Sequence, residues 1–210
     1  MVTTGLLVRL EAAHGREDEL EALLRSAQAL VAQEPATTEW FAVRFGRLEY
    51  GIFDVFPDEA GRQAHLAGAV AAQLTGPGRQ LLARDAQIQR VSLLAHKLPR
   101  STDPGLAVTR GLLLTFKAKQ GHDAQVKHFL RDAQGLVEAE PGTTAWFALV
   151  FEDGEYGIFD VFPDNMARLS HLGGAVPRER AKHALSLLGG MPDMDMLQVL
   201  AARFAPGGSR

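Results

Sequence analysis

The decapeptide EYGIFDVFPD occurs twice, at 49–58 and at 155–164, and the spacing of 106 residues holds along the whole chain. Sliding the sequence by 106 lays EPATTEWFAVRF (34–45) on EPGTTAWFALVF (140–151) and HLAGAV (65–70) on HLGGAV (171–176). It also lays GLLVRLEAAHG (5–15) on GLLLTFKAKQG (111–121), and no gap is needed. About half of the positions between 5 and 70 are identical to their partners. Chance does not give this, so one unit has been duplicated and fused. A period this long is a whole domain rather than a solenoid repeat. The 210 residues therefore divide into a first repeat at 1–100, a linker at 101–110 and a second repeat at 111–210. The linker region opens with PRSTDPG (99–105), a composition that breaks regular structure.

Each repeat reads as β-α-β-β-α-β. Leu6, Val8 and Leu10 alternate with Arg9 and Glu11, the pattern of a strand. Gly15 then opens a helix. In it Leu20, Leu23, Leu24, Ala27, Leu30 and Val31 recur at helical spacing behind acidic residues, and Pro35 stops it. TTEWFAVRF and YGIFDVF form a hairpin, with a tight reversal at 47–49 whose partner, EDGE (152–155), carries a turn glycine. Pro57 ends the hairpin, and Asp58 is placed to cap a helix running to about residue 73. TGPG (75–78) breaks the chain before a short helix at about 79–85 and a last strand, IQRVSLLAHKL (88–98). The order predicts an α+β protein: two tandem ferredoxin-like domains, each with both helices on one face of a four-stranded antiparallel sheet. The other sheet face is also partly apolar and needs cover. This predicts an intrachain pseudo-dimer, an α+β barrel, with a homodimer as the alternative way to close it.

Composition removes several functions. Lys plus Arg is 22 and Asp plus Glu is 25, with no basic stripe, so nucleic acid is not the expected partner. There are no cysteines, which excludes disulfides, thiolate metal sites and a cysteine nucleophile and agrees with a cytoplasmic location. Neither a leader peptide nor a membrane span is legible. The seven histidines show no H-x-x-x-H or H-E-x-x-H spacing, and no nucleotide-binding or serine-hydrolase motif is present, so neither metal nor cofactor is expected.

The run VEAEPGTTAWFALVFEDGEYGIFDVFPDNMARLSHLGGAV (137–176), with its first-repeat counterpart, resembles the antibiotic-biosynthesis-monooxygenase family of the dimeric α+β barrel superfamily. The resemblance covers nearly all of each repeat. It implies a small apolar pocket between the helices and the sheet, and oxidation of quinols or polyphenols by O₂ without metal or flavin. The superfamily also includes haem-degrading enzymes, which use an Asn on the first strand and a Trp on the third. Here the one Asn is Asn165, at a helix start, and Phe56 and Phe162 stand where that Trp is common, so haem degradation is not expected.

Six kinds of side chain are candidates. Trp40 and Trp146 are the only tryptophans, and Tyr50 and Tyr156 the only tyrosines, each pair related by the repeat. A buried indole N–H needs an acceptor, which a ligand oxygen could supply; the alternative is a packing role. Asp54 and Asp160 sit mid-strand among apolar residues, on the face shared by Tyr50, Ile52 and Phe56. An unpaired carboxylate there costs several kcal/mol on burial, so it needs a partner, water or a raised pKa. Arg9 and Arg44 are possible partners in repeat one and are replaced by Thr115 and Val150 in repeat two. His65 and His171 lie on the second helix, bordering the buried face marked by Leu66 and Val70. The expected machinery is thus His65, Asp54, His171 and Asp160 as catalytic groups. Trp40, Tyr50, Phe56, Arg44, Trp146, Tyr156 and Phe162 would line a site for a small aromatic molecule. The expected function is that of a cofactor-independent monooxygenase. A non-catalytic carrier of a small apolar ligand, or a stress-related protein of the same fold, is the alternative, and a purely structural pseudo-dimer the third reading.

Overall fold

The computed structural model describes residues 2–99, 107–173 and 186–205. Repeat one forms β1 (Thr4–Glu11), α1 (Glu17–Val31), β2 (Glu39–Arg44), β3 (Glu49–Phe56), α2 (Glu59–Leu66), α3 (Ala69–Thr75) and β4 (Gln87–Lys97). Repeat two forms β5 (Arg110–Phe116), α4 (Asp123–Glu138), β6 (Ala145–Phe151), β7 (Tyr156–Phe162), α5 (Asn165–Gly173) and β8 (Asp193–Phe204). The strands are hydrogen-bonded in the order β4-β1-β3-β2 in repeat one and β8-β5-β7-β6 in repeat two. This is the ferredoxin-like order twice, and it closes as an eight-stranded α+β barrel.

Three expectations change. The second helix is two helices, because the chain breaks at Ala67–Gly68. The short helix after it is a 3-10 helix at Pro77–Leu81, earlier than read from the sequence, because Pro77 is suited to a first helical turn. Of the linker, residues 101–106 lie outside the described residues, as do 174–176 of HLGGAV, and Arg110 already belongs to β5.

The chain divides into two compact units, and the dividing line crosses β4 after Val91 and β8 after Leu197. The first unit therefore holds β1 to β3, α1 to α3, the start of β4 and the end of β8. The second holds the remainder of β4, β5 to β7, α4, α5 and the start of β8. Sequence repeat and compact unit are thus two different divisions of the same chain.

In the first unit, one face of the sheet carries Leu6, Val8, Leu10, Trp40, Ala42, Tyr50, Ile52 and Phe56. They bury against Leu20, Leu24, Ala27 and Val31 of α1 and Val70 and Leu74 of α3. The alternation that marked the strands is this face. The opposite face presents Phe41, which stacks on Phe53 at 6.3 Å and meets Phe204 of β8 edge-on at 5.4 Å. Gly51 stands in β3 because a Cβ there would lie 2.6 Å from the Val8 carbonyl oxygen. In the second unit Gly154 makes the expected hairpin turn with φ of 86°.

The polar pins of the helices repeat as well. Asp58 Oδ1 accepts from the Gly61 amide at 2.9 Å, and Asp164 Oδ1 from the Ala167 amide at 2.8 Å, so both caps form. Arg62 is buried and donates to the carbonyls of Gly5 and Val91, each at 3.3 Å, which fastens α2 to the sheet.

Candidate functional site

The pairing of β2 with β3 sets Trp40 directly opposite Asp54, on the face that looks at the helices. Both are fully buried. The α2 helix brings His65 over this pair, with Nε2 3.1 Å from Asp54 Oδ2. His65 is thus the polar side chain in contact with Asp54, whose oxygens meet no better-aligned donor, and the Trp40 Nε1–H lacks an acceptor. The other ring nitrogen, Nδ1, lies 2.5 Å from Glu34 Oε2. Thr37 donates from its hydroxyl to the same Glu34 oxygen at 2.9 Å and sits 3.3 Å from Nδ1. The Phe56 ring packs on the imidazole at 5.3 Å. His65 is only 6% exposed, so it leads the buried face of α2 rather than bordering it. Glu34 reaches the ring because α1 ends at Val31 and the chain folds back over α2 towards β2.

Charges inside the cluster follow from burial. Removal from water raises the Asp54 carboxyl above its ordinary 3.8, against the pull of His65, while nearby Glu34 adds to the rise. Burial by itself draws the His65 imidazolium down, but the hydrogen bonding and charge of Asp54, then of Glu34, overcome it and lift His65 to about 9. A proton is therefore held between carboxylates at neutral pH. With a carboxylate on each ring nitrogen, the imidazole has no free lone pair for a metal. Among the described residues, no group of three or more His, Cys, Asp and Glu could hold a metal ion.

Repeat two builds the same cluster with a longer contact to its aspartate. His171 Nδ1 is 2.6 Å from Glu140 Oε2, Thr143 donates to that oxygen at 2.8 Å, and Phe162 lies 5.3 Å from the ring. The His171 Nε2 to Asp160 Oδ2 distance is longer, 3.5 Å, and burial raises Asp160 to about 7. Trp146 is opposite Asp160.

The other candidates lie elsewhere. Tyr50 is four residues along β3 from Asp54, and its hydroxyl makes a long 3.5 Å contact to the Glu17 carbonyl. Arg44 stands over the Tyr50 ring at 5.6 Å and donates to the Gly46 carbonyl at 3.0 Å. Tyr156 donates to Asp123 Oδ1 at 3.1 Å, at the start of α4. Arg9 lies on the other sheet face, over the Phe45 ring at 4.0 Å. Neither arginine is the partner of Asp54; that role is taken by His65. Glu34 and Thr37 were not among the residues singled out from the sequence, although EPATT and EPGTT keep both in each repeat.

A cavity of about 220 Å³ opens between α1, α3 and β3, lined by Leu23, Leu24, Ala27, Ile52, Val70 and Leu74, with Ser26 and Gln73 as its polar groups. Ile52 is two residues before Asp54 on the same strand face. Trp40, Asp54, His65 and Tyr50 do not line this cavity. In repeat two a smaller space of about 60 Å³ lies among Leu114, Phe116, Val126, Phe129 and Ile158.

No protein-family model matches the chain. No curated protein sequence matches it either. Solved structures do. A "putative monooxygenase" of Fusobacterium nucleatum has a TM-score of 0.85 at 14% identity, over 98% of this chain and 96% of that one. A ferredoxin-fold protein of Listeria monocytogenes, related to antibiotic biosynthesis monooxygenases, has a TM-score of 0.54 at 7% identity, over 95% of both chains. The chain has the ferredoxin-like α+β barrel fold of these proteins. An anthrone oxidase-like protein shares it, with a TM-score of 0.64 at 13% identity, over 98% of this chain and 94% of that one. Within this barrel fold the sheet–helix cavity and the His65 cluster are neighbours along β3. Among the described residues, no helix is long and apolar enough to cross a membrane.

Proposed function

We propose that the protein is a cofactor-independent monooxygenase acting on a small phenolic or quinol-like aromatic molecule. The observation that carries this reading is the Trp40–Asp54 pair: a buried N–H donor without an acceptor beside a buried carboxylate whose contact is the imidazole of His65. A phenolic hydroxyl satisfies both at once, donating to Asp54 and accepting from Trp40. Burial has raised the proton affinity of Asp54, which suits a general base. The apolar cavity beside Ile52 is larger than the about 150 Å³ that admits a benzene ring, so a substituted single ring fits.

The chemistry balances without a cofactor. A phenol with a free para carbon plus O₂ gives the para-quinone plus water. Asp54 takes the hydroxyl proton, and the phenolate gives one electron to O₂. The resulting superoxide couples to the ring radical at the para carbon, forming a C–O bond. The para proton leaves, the O–O bond breaks, and the outer oxygen departs as water after two protonations. Two protons are removed and two returned. The likeness to an anthrone oxidase-like protein is compatible with substrates of this class.

A second reading is binding without turnover. It is favoured by the placement of Asp54 beside the cavity rather than on its wall. Oxygen uptake with a panel of phenols, quinols and anthrones, using metal-stripped protein, separates the two. Uptake that falls ~10²–10⁴-fold in Asp54→Asn supports the monooxygenase. Ligand binding with no uptake from any member of the panel would leave the carrier.

A further inference from the structure

We propose that Glu34 is the proton outlet of the buried site: protons reaching Asp54 pass through the His65 ring to Glu34 and from there to solvent, with Thr37 as the positioning residue. The inference rests on the reading of Asp54 as the proton acceptor.

The geometry is a wire of three groups. Asp54 is fully buried and cannot exchange protons with water directly. His65 touches it with Nε2 at 3.1 Å and touches Glu34 with Nδ1 at 2.5 Å. The Glu34 side chain is 16% exposed, more than the other two members of the wire, while its Oε1 is buried without a hydrogen-bond partner, so release to water needs a turn of this side chain. The imidazolium gives its Nδ1 proton to Glu34, which leaves a neutral ring protonated at Nε2; the ring then turns over, and the bare nitrogen, now facing Asp54, takes the Asp54 proton and restores the imidazolium. The charge on the ring is the same before and after, so no buried charge is created or lost. Glu34 releases its proton to water and the cycle is reset.

His65 has two carboxylates, on opposite nitrogens, and the arrangement is kept in both repeats. The Nδ1–glutamate distances are 2.5 and 2.6 Å, and the threonine–glutamate distances are 2.9 and 2.8 Å. Thr37 gives its hydroxyl proton to the Glu34 oxygen that faces the ring, which fixes the carboxylate in place. The groups that face His65 are Asp54 and Phe56 from β3 and Glu34 and Thr37 from the segment after α1. Beyond them Arg203 of β8 donates to the Thr37 carbonyl, and its charge is felt by Glu34.

The test is solvent exchange of the His65 ring protons by NMR, in protein without substrate, with Glu34→Gln, Thr37→Val and Thr37→Ser. Glutamine keeps a hydrogen-bonding oxygen but cannot take the proton onward. The relay predicts that exchange of the His65 ring N–H protons slows at least tenfold in Glu34→Gln, and that His171 in the same molecule is unaffected. Thr37→Val slows it less, and Thr37→Ser restores it. Unchanged exchange in a folded Glu34→Gln protein overturns the relay, as does equal slowing at His171. If Glu34→Gln does not fold, Glu34→Asp serves instead: a shortened acid slows exchange under the relay and leaves it unchanged otherwise. The measurement involves no turnover. Intact exchange dependence without oxygen uptake counts against the monooxygenase alone, and uptake with Glu34-independent exchange counts against the relay alone.

Discussion

His65 and Asp54 are held 3.1 Å apart, Nε2 to Oδ2, at a point where neither side chain has appreciable contact with water. Two ionisable groups so placed either share a proton or cost the fold dearly. Because Glu34 holds the other ring nitrogen, the cluster retains a proton at neutral pH, and its stability depends on pH in a stated direction.

His65 binds its proton more tightly in the folded chain, at about 9, than at the ordinary 6.5. Its stabilisation is therefore complete below about pH 6.5 and is lost as pH rises through 9, at most about 3 kcal/mol in all. The expected outcome is that the stability gap between wild type and His65→Gln narrows steadily from pH 6.5 to 9.5. Chemical denaturation at four pH values measures it, and a gap that is flat or widens is the contrary result.

Glu39 provides a second pH effect by a different route. It is 3% exposed on the Phe41 face of β2, and burial raises its carboxyl to about 8 although Arg203 pulls it down. A folded-state value above the unfolded 4.5 means that stability is greatest at low pH and falls as pH rises from 4.5 to 8. Repeat two has Ala145 at this position, so the fold has no need of the acid. Glu39→Gln should flatten the stability profile over that window and raise the melting temperature at pH 8.5. A lower melting temperature there would show that the acid contributes to stability.

The break between α2 and α3 at Gly68 makes room for Glu34. A Cβ at Gly68 would lie 2.7 Å from Glu34 Oε1 and 3.0 Å from the His65 carbonyl oxygen. Its φ is −85°, so alanine meets no backbone strain. Gly68→Ala should destabilise by roughly 1–3 kcal/mol by overpacking. Part of that loss should disappear when Glu34 is already alanine. A double-mutant cycle by thermal melting should give a coupling of at least about 0.5 kcal/mol; strict additivity would place the clash elsewhere.

Much of this architecture was legible in the sequence, because alternation along strands and the repeat are both local signals. The strand order follows from β-α-β-β-α-β, and the Asp58 cap follows from its position after Pro57. What escaped was tertiary. Leu66, Val70 and Leu74 keep a helical spacing straight through Gly68, so periodicity runs across a break at a glycine whose surroundings, Glu34 among them, are set by tertiary packing. Arg44 shares a face with Asp54, but it pairs with Tyr50, four residues or roughly 13 Å along β3. Arg9 alternates with Leu6 and Val8, so the pattern itself puts it on the wrong face for Asp54. Glu34 was open to discovery. It is an acid retained in both repeats at a helix end, followed by Pro and then Thr, and the repeat comparison alone could have marked it.

The two repeats offer an internal comparison of the same cluster. His65 is 6% exposed with a 3.1 Å contact to its aspartate, whereas the His171 side chain is 19% exposed with a 3.5 Å contact. Burial strengthens an ion pair and also makes its disruption costlier, since the partner left behind is an unpaired charge out of water. His65→Ala strands Asp54, which has no access to solvent; His171→Ala strands Asp160, which is 3% exposed. His65→Ala should therefore cost about 3–5 kcal/mol and His171→Ala clearly less. The same order should hold for function. The cavity beside the first cluster is about 220 Å³, and the described space beside the second is about 60 Å³. Titration with an aromatic ligand should lose affinity in His65→Ala and change little in His171→Ala. Oxygen uptake, where a substrate supports it, should follow the same pattern. Equal losses from the two changes, in stability and in binding, would mean that the duplicated sites have not diverged.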